Sequence, residues 1–350
     1  MNGPPAPQLP PHLEPTSLLG LRVLQSSGQP SQTTNPYLTQ LLASLPQNLQ
    51  VKYFSMLRAL FSGYDVFHVH WPEYLVRHRT RLGTAFKQIG AFFLLLKLAA
   101  TRTPVIRTLH NLQPHEGSNW GERTLLAWLD KLTTVWIRIN ATTEPRLPTT
   151  VTILHGHYRD WFASMPKPAS VPGRLLHFGL LRPYKGVETL LATMAQIEDA
   201  EVTLRVVGNP ASDTIADEVL WACRNDARVS ATLRYVEDHE LAREIGEAEL
   251  IVLPYRQMHN SGTLLLALSL ARPVLAPWNP ANEAIADEVG PGWVYLYRDE
   301  LNAQVIVETL ASVHRRDAGE LPDLSARDWS RIGRQHYEAY ASAVLAMKGR

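Results

Sequence analysis

Residues 174–191 form the stretch that most constrains the fold of this chain. A short apolar run ends at Gly179, a turn carries Arg182, Lys185 and Gly186, and apolar residues then recur at helical spacing. This pattern predicts a strand, a glycine-bearing loop with two cations, and a helix. Cationic side chains, backbone N–H groups and the positive end of a helix would then surround one point, which suits a diphosphate. An ordinary strand-to-helix turn with solvated cations fits the same residues.

Short apolar runs alternate with helical segments along the rest of the chain. Alternating strands and helices predict parallel sheets that are covered on both faces. In the second half the expected strands lie at 175–178, 202–207, 233–236, 249–253 and 273–276. The predicted fold class is therefore α/β, with two doubly wound Rossmann-like domains facing across a cleft, where ligands bind at the carboxyl ends of the strands.

A proline-rich segment, residues 165–173, is the expected linker between the two domains. A length of 350 residues fits this division. We expect a proline-rich disordered tail at 1–17, a first domain at 18–165, a second domain at 166–325, and a helix at 326–350 that crosses back to the first domain.

The net charge of +1 hides an asymmetry between the two halves. Residues 1–170 carry 16 Lys and Arg against 8 Asp and Glu, whereas residues 171–350 carry 18 against 25. Residues 74–115 contain seven bases, no acid and the apolar run 89–96. These eight residues between two charges are too few to span a bilayer, which needs about 20. A basic helix with an apolar face can instead lie on an anionic membrane surface, and a core helix with a basic end is the alternative.

Several motifs of cofactor and metal chemistry do not occur in the sequence. It has no G-x-G-x-x-G after an expected strand, no G-x-x-x-x-G-K-[ST], no H-E-x-x-H and no Asp-x-Asp. A diphosphate would therefore be neutralised by protein cations and backbone N–H groups, and we expect neither a cofactor nor a metal. The single cysteine, Cys223, favours a reducing compartment.

Four stretches of the second half bring polar or small residues to the ends of expected strands. They are residues 177–186, 207–210, 253–256 and 259–263, the last of which opens an apolar helix. Each stretch alone is typical of a turn. Together, and in this order, they predict an anion-binding site.

In order and spacing these stretches resemble the donor domain of the GT-B glycosyltransferases. The segments 65–73, 107–116, 155–162 and 258–271 further resemble the mannosyltransferases of xanthan-type exopolysaccharide assembly, glycosyltransferase family 94. This resemblance implies GDP-mannose as the donor and a polyprenyl-diphosphate-linked oligosaccharide ending in glucuronic acid as the acceptor. It implies a β-1,4 bond made by a peripheral protein on the cytoplasmic face of the inner membrane, with no nucleic acid as partner.

The resemblance also suggests which residues bind the donor. They are Gly179, Arg182, Lys185, Gly208, Asn209, Tyr235, Ser261, Gly262, Thr263 and Glu283. Many retaining relatives carry two glutamates at positions held here by Met258 and Leu266, and the second glutamate binds the donor ribose. Neither residue here can accept a ribose hydroxyl, so we expect Glu283 or Asn282 to take this role, and a retaining mechanism is disfavoured.

An inverting transfer needs a general base within reach of the acceptor hydroxyl. The acids expected at strand ends of the first domain are Glu73, Glu116 and Asp160. Glu73 is favoured because it follows a strand end directly and Pro72 fixes the turn. A salt bridge from Glu73 to Arg77, one helical turn further on, is the competing interpretation.

Histidines provide the remaining candidates for the base. His110 ends an expected strand, and in GT-B relatives a histidine in this place touches the transferred sugar. His70 and His115 are alternatives. Two other functions fit the same phosphate loops: a GT-B sugar-nucleotide epimerase acting on a soluble substrate, and an inactive nucleotide-binding subunit.

Overall fold

The computed structural model describes residues 20–31, 34–110, 119–142, 149–256, 258, 262–316 and 319–348. The chain forms two compact units. One comprises Met1–Gly156 together with Arg327–Arg350, and the other comprises His157–Ala326. The C-terminal helix therefore belongs to the first unit, as the sequence predicts.

Residues 157–165 belong to the second unit, although the sequence placed them in the first domain. Two hydrogen bonds explain this difference. The backbone N–H of Tyr158 donates to Ser269 Oγ at 2.8 Å, and the indole N–H of Trp161 donates to Asp238 at 2.7 Å. The proline-rich segment thus follows the boundary between the units instead of forming it.

The first unit is built on a six-stranded parallel sheet in the order β2-β1-β3-β4-β5-β6. Its strands are β1 (Arg22–Gln25), β2 (Gln50–Tyr53), β3 (Val66–Val69), β4 (Val105–Leu109), β5 (Thr133–Arg138) and β6 (Thr150–Thr152). Its helices are α1 (Pro36–Ser44), α2 (Met56–Phe61), α3 (Glu73–Val76), α4 (Arg81–Thr101), α5 (Trp120–Leu132) and, at the end of the chain, α12 (Trp329–Lys348). The expected cap of α1 is confirmed, since Asn35 accepts from the Tyr37 N–H and Pro36 is the first helical residue.

Helices cover both faces of this sheet. Val23, Val66 and Ile106 pack on α1 and α12, whereas Phe67 and Val105 pack on the opposite side with α4 and α5. The two faces follow from side chains that alternate along each strand.

The apolar run 89–96 lies within α4, which has 21 residues and is long and apolar enough to cross a membrane by length and composition. Its inner face nevertheless packs into the core of the first unit through Ala91, Leu94, Leu95 and Leu98. One face of α4 is therefore part of the core of the first unit.

The second unit has a second six-stranded parallel sheet, in the order β12-β11-β10-β7-β8-β9. Its strands are β7 (Arg174–Phe178), β8 (Thr203–Val207), β9 (Val229–Thr232), β10 (Leu250–Val252), β11 (Val274–Pro277) and β12 (Val294–Tyr297). Its helices are α6 (Val187–Met194), α7 (Asp213–Asn225), α8 (Asp238–Glu247), α9 (Gly262–Ser269), α10 (Pro280–Val289) and α11 (Ala303–His314). Strand order reverses between β7 and β10, and ligands of open α/β sheets bind at such a point.

The strand expected at 233–236 is displaced. The observed strand is β9, and its last residue, Thr232, pairs with Val207 at the end of β8. The neighbouring chain leaves the sheet at Gly208, which has a φ of 148°. Residues 233–236 therefore have no neighbouring strand to pair with and form the loop after β9.

Candidate active site

Three strand ends of the second unit pack backbone against backbone around Gly179, the residue after β7. Gly179 has a φ of 101°, and its N–H donates to Val207 O at 2.9 Å. A Cβ on Gly208 would overlap the carbonyl oxygen of Gly179, and a Cβ on Gly186, whose φ is 67°, would overlap that of Pro254. Glycine is therefore required at these positions by positive φ and by close approach of the backbone.

Two hydrogen-bond donors lie beside Gly179, at the place that a side chain would occupy. A Cβ built on Gly179 would lie 3.1 Å from Lys185 Nζ and 3.8 Å from Thr263 Oγ1. Thr263 is the second residue of α9, and its hydroxyl accepts a hydrogen bond from Tyr255 at 3.3 Å. A cation, a hydroxyl and the positive end of a helix thus meet at one point, an arrangement that suits an anion.

Lys185 is the most unusual residue of this site. Its side chain is only 7% exposed and its ammonium lies 5.2 Å from the ring centre of Tyr255. Burial, and secondly the charge of Arg182, lower the pKa of Lys185 from 10.5 to about 8. No described acid forms an ion pair with it. A buried ammonium without a described carboxylate is costly on its own, and an anion bound beside it would offset that cost.

The other residues expected to bind the sugar donor lie after β7, β8 and β9. Arg182 precedes the short 3₁₀ turn Pro183–Lys185, and Asn209 is exposed after β8 while its carbonyl accepts from Leu181 N at 2.9 Å. Tyr235 is 67% exposed in the loop after β9. The structure therefore brings Gly179, Lys185 and Thr263 together and leaves Tyr235 as an exposed aromatic ring at a separate strand end.

The two candidates for ribose binding have different surroundings. Asn282 is buried, and its side-chain amide donates to Pro277 O at 2.8 Å and contacts the sulfur of Met258 at 3.3 Å. Glu283 is partly exposed and accepts a hydrogen bond from the indole of Trp278 at 2.9 Å. The side-chain amide of Asn282 is therefore used in contacts with Pro277 and Met258, whereas the carboxylate of Glu283 stays accessible.

Two residues of the donor site had no role assigned from the sequence. Tyr255 supports both Lys185 and Thr263, as described above. His177 is fully buried beside Tyr255; its Nδ1 donates to Val252 O at 3.0 Å, and its Nε2 has no hydrogen-bond partner among the described residues. The i, i+2 spacing of His177 and Gly179 on one strand is the signal that could have identified His177.

In the first unit, Glu73 is the first residue of α3, just after β3. The predicted alternative, a salt bridge to Arg77, is not formed, because Arg77 Nε donates to Glu122 at 2.7 Å instead. No other ion pair to Glu73 occurs among the described residues, and its charge acts on the nearby guanidinium of Arg107. Glu73 is thus a carboxylate at a strand end without an ion pair in the part of the chain that the structure describes.

His110 lies at the end of β4, where the ring of Trp71 stacks on it with centroids 4.3 Å apart. Its Nε2 is 3.2 Å from Nδ1 of His70. His70 is 1% exposed and its other nitrogen is 3.3 Å from Gln25 Oε1, so both of its ring nitrogens are engaged inside the protein. His70 therefore has no ring nitrogen left to act as the base.

The remaining candidates either belong to the second unit or lie outside the described residues. Asp160 belongs to the second unit, so it is not an acid of the first domain as the sequence suggested. Glu116, His115 and Ser261 lie outside the residues that the structure describes.

The comparison with known proteins identifies the family. The chain is 59% identical over 324 residues to the GDP-mannose:glycolipid 4-beta-D-mannosyltransferase of Xanthomonas campestris pv. campestris, with 93% of each sequence covered. The chain belongs to this glycosyltransferase family. The model of the glycosyl transferases group 1 also matches residues 172–312, the part of this glycosyltransferase that carries the Lys185 site.

Solved structures show the same fold at low sequence identity. A glycosyltransferase from Rickettsia africae superimposes with a TM-score of 0.61 at 13% identity, covering 93% of this chain and 98% of that one. HepE of Anabaena, solved with UDP, superimposes with a TM-score of 0.56 at 13% identity, covering 94% and 98%. The two Rossmann-like sheets are therefore those of a GT-B glycosyltransferase.

Proposed function

We propose that this protein transfers mannose from GDP-mannose to a glycolipid, a polyprenyl-diphosphate-linked oligosaccharide ending in glucuronic acid, in exopolysaccharide biosynthesis. The observation that carries the proposal is the buried ammonium of Lys185, which has no described acidic partner and faces the position above Gly179 beside Thr263. The 59% identity to a GDP-mannose:glycolipid mannosyltransferase supports GDP-mannose as the donor and a glycolipid as the acceptor.

The leaving diphosphate is neutralised in this proposal by the protein itself. Lys185 and Arg182 supply positive charge, and the hydroxyl of Thr263 with the first N–H groups of α9 supplies hydrogen bonds. These groups meet the charge that develops as the bond between mannose and diphosphate breaks. We therefore propose that neither a metal nor another cofactor is needed.

Transfer from an α-linked donor to a β-linked product is a single displacement with inversion. The acceptor oxygen bonds to the anomeric carbon of mannose while the bond to GDP breaks and its electron pair leaves with the diphosphate. The acceptor hydroxyl gives its proton to a base. We assign this base to Glu73, since its carboxylate lies at a strand end without a described ion pair, and we assign contact with the sugar to His110.

The lipid acceptor requires a membrane, and α4 has a surface suited to one. Leu82, Phe86, Ile89, Phe93 and Leu96 alternate at four- and three-residue spacing and are all exposed, so they form one outward apolar stripe. Leu57 and Phe61 of the neighbouring helix α2 extend it. We call these seven residues the apolar stripe and propose that it enters the interface of an anionic membrane.

Fewer bases of the 74–115 segment are available to lipid phosphates than the sequence suggested. Arg77 and Arg107 pair with acids, and Lys87 and Lys97 donate to the carbonyls of Tyr74, Ala59 and Ser62. Arg79, Arg81 and Arg102 are left with neither a described acidic partner nor a described bond from the side chain to a carbonyl. Each adds about 1 kcal/mol at an anionic surface, so the apolar stripe must supply most of the binding energy.

Replacement of Phe86 and Phe93 together by aspartate should weaken binding to anionic vesicles by about 100-fold or more. The reason is that two aromatic rings, exposed in the free protein, can no longer become buried in the membrane interface. Sedimentation with vesicles rich in phosphatidylglycerol measures this. The matched control replaces Leu220 and Trp221, exposed on α7 of the second unit, by aspartate. Equal loss of vesicle binding in both double variants would rule out the apolar stripe as the docking surface.

The function itself is tested with radiolabelled GDP-mannose and membranes that contain the lipid-linked acceptor. We expect label in the lipid fraction, at the same rate with and without EDTA. Intact GDP binding without labelled lipid would contradict the proposal and favour an epimerase or an inactive subunit. Loss of labelling in EDTA, restored by a divalent cation, would contradict metal independence alone.

A further inference from the structure

A cluster of four histidines lies under the carboxyl ends of β3 and β4 in the first unit. The rings of His68 and His70 are 4.1 Å apart, His70 and His110 are 5.5 Å apart, and His336 of α12 lies 5.8 Å from His68. His68, His70 and His336 are buried, and His110 is partly buried. Imidazoles at such positions replace apolar side chains of the core and need a reason to be there.

The cluster occupies one face of the sheet. Val23 and Gln25 of β1 point to the same side, as do Val66 and His68 of β3, so each strand changes from apolar to polar towards its carboxyl end. The face is apolar at its centre and hydrogen-bonded at the end where ligands of a parallel sheet bind.

Hydrogen bonds join these residues into one chain. Nε2 of His110 lies 3.2 Å from Nδ1 of His70, and Nε2 of His70 lies 3.3 Å from Oε1 of Gln25. The amide of Gln25 donates to Tyr340 OH at 3.4 Å, and this hydroxyl lies 2.8 Å from Nδ1 of His68.

Gln25 gives the chain a direction, because an amide oxygen can only accept. His70 must donate its Nε2–H to that oxygen, which leaves Nδ1 of His70 as an acceptor. His110 must then donate its Nε2–H to His70, and its own lone pair lies on Nδ1. Burial, and secondly the neighbouring histidines, hold the pKa of His70 and of His110 well below 6.5, so both rings stay neutral and the assignment holds.

We propose that Gln25 and His70 are positioning residues that hold His110 in the tautomer with a lone pair on Nδ1. In that form His110 accepts a hydrogen bond from a hydroxyl group of a bound sugar, while the stacked Trp71 fixes the plane of its ring. The inference rests on the proposed mannosyl transfer only in its statement that the lone pair on Nδ1 of His110 accepts a hydrogen bond from a sugar. The tautomer itself is a property of the free protein.

The tautomer is measured by nitrogen-15 NMR of the imidazole rings in protein without substrate. We expect His110 to carry its proton on Nε2, with its signals assigned by comparison with His110→Gln. His70→Leu removes the partner of His110 and should give a mixture of tautomers. Thr108→Val removes a buried hydroxyl that bonds to His68 and not to Gln25, His70 or His110, so it should leave His110 as it is.

Turnover is measured on the same variants. His70→Leu should lower kcat by about 10- to 100-fold, as loss of an orienting partner does for ligating histidines, with little change in KM for the donor. His70→Gln can accept from His110 and donate to Gln25, so it should recover most of the loss. Thr108→Val should retain kcat.

Two results would overturn the inference. One is a His110 ring with its proton on Nδ1 in the wild-type protein, which needs no variant to fold. The other is a folded His70→Leu protein with unchanged tautomer and unchanged kcat. A protein with the expected tautomer but no mannosyl transfer would instead contradict the proposed function, so the two failures can be told apart.

Discussion

Replacement of Glu73 by glutamine should lower kcat by about 10²- to 10⁴-fold, the usual range for loss of a general base. Glutamine keeps the size of the side chain but cannot take the proton of the acceptor hydroxyl. The carboxylate of Glu73 forms no described ion pair, so its loss should leave the fold intact. Single-turnover transfer of labelled mannose measures kcat, and titration with GDP should give an unchanged dissociation constant.

Glu122→Gln is the matched control for this experiment. Glu122 is buried and accepts from Arg77 at 2.7 Å, so its replacement breaks an ion pair and should lower the melting temperature. It should retain kcat at temperatures where the variant is folded. If Glu73→Gln turns over at the wild-type rate, Glu73 is not the base, and His110 is the remaining described candidate.

The fold could be predicted from the sequence because its signals are local. Each strand of a parallel sheet is a short apolar run followed by a helix, and the cap at Asn35 is set by adjacent residues. The misplaced strand at 233–236 shows the limit of such signals. Its position depends on where β8 leaves the sheet at Gly208, a residue on another strand. The start of the second unit likewise depends on the bond from Tyr158 to Ser269.

The candidate site also has features that the local sequence predicts and features that depend on distant residues. The loop from Gly179 to Lys185 lies within one strand, turn and helix, so the sequence was enough to predict that the ammonium of Lys185 comes close to Gly179. The ion-pair partner of Arg77 was not predictable, since Glu73, one helical turn earlier, competes with Glu122 from a different helix. The hydrogen bond between His68 and Tyr340 joins residues 272 positions apart, and no local pattern indicates it.

Lys185→Met should make the ligand-free protein more stable and at the same time weaken GDP binding by about 10- to 100-fold. The fall in the pKa of Lys185 from 10.5 to about 8 means that burying its ammonium costs on the order of 3 kcal/mol at neutral pH. Methionine fills the same space without this cost. Loss of the ammonium removes a charge-assisted contact to the diphosphate. Thermal unfolding with and without GDP measures both effects.

The effect of pH on Lys185 follows from the same shift. Between about pH 8 and 10.5 Lys185 is protonated more in the unfolded chain than in the folded protein. The unfavourable contribution of Lys185 to the free energy of unfolding therefore disappears as the pH rises. The stability advantage of Lys185→Met should therefore shrink over this range, whereas GDP affinity of the wild type should fall above pH 8 as the ammonium is lost. Lys167→Met, at the exposed second lysine of this unit, is the control and should change neither quantity. A Lys185→Met protein that gains no stability but still loses GDP would mean that another group neutralises this ammonium before the donor binds.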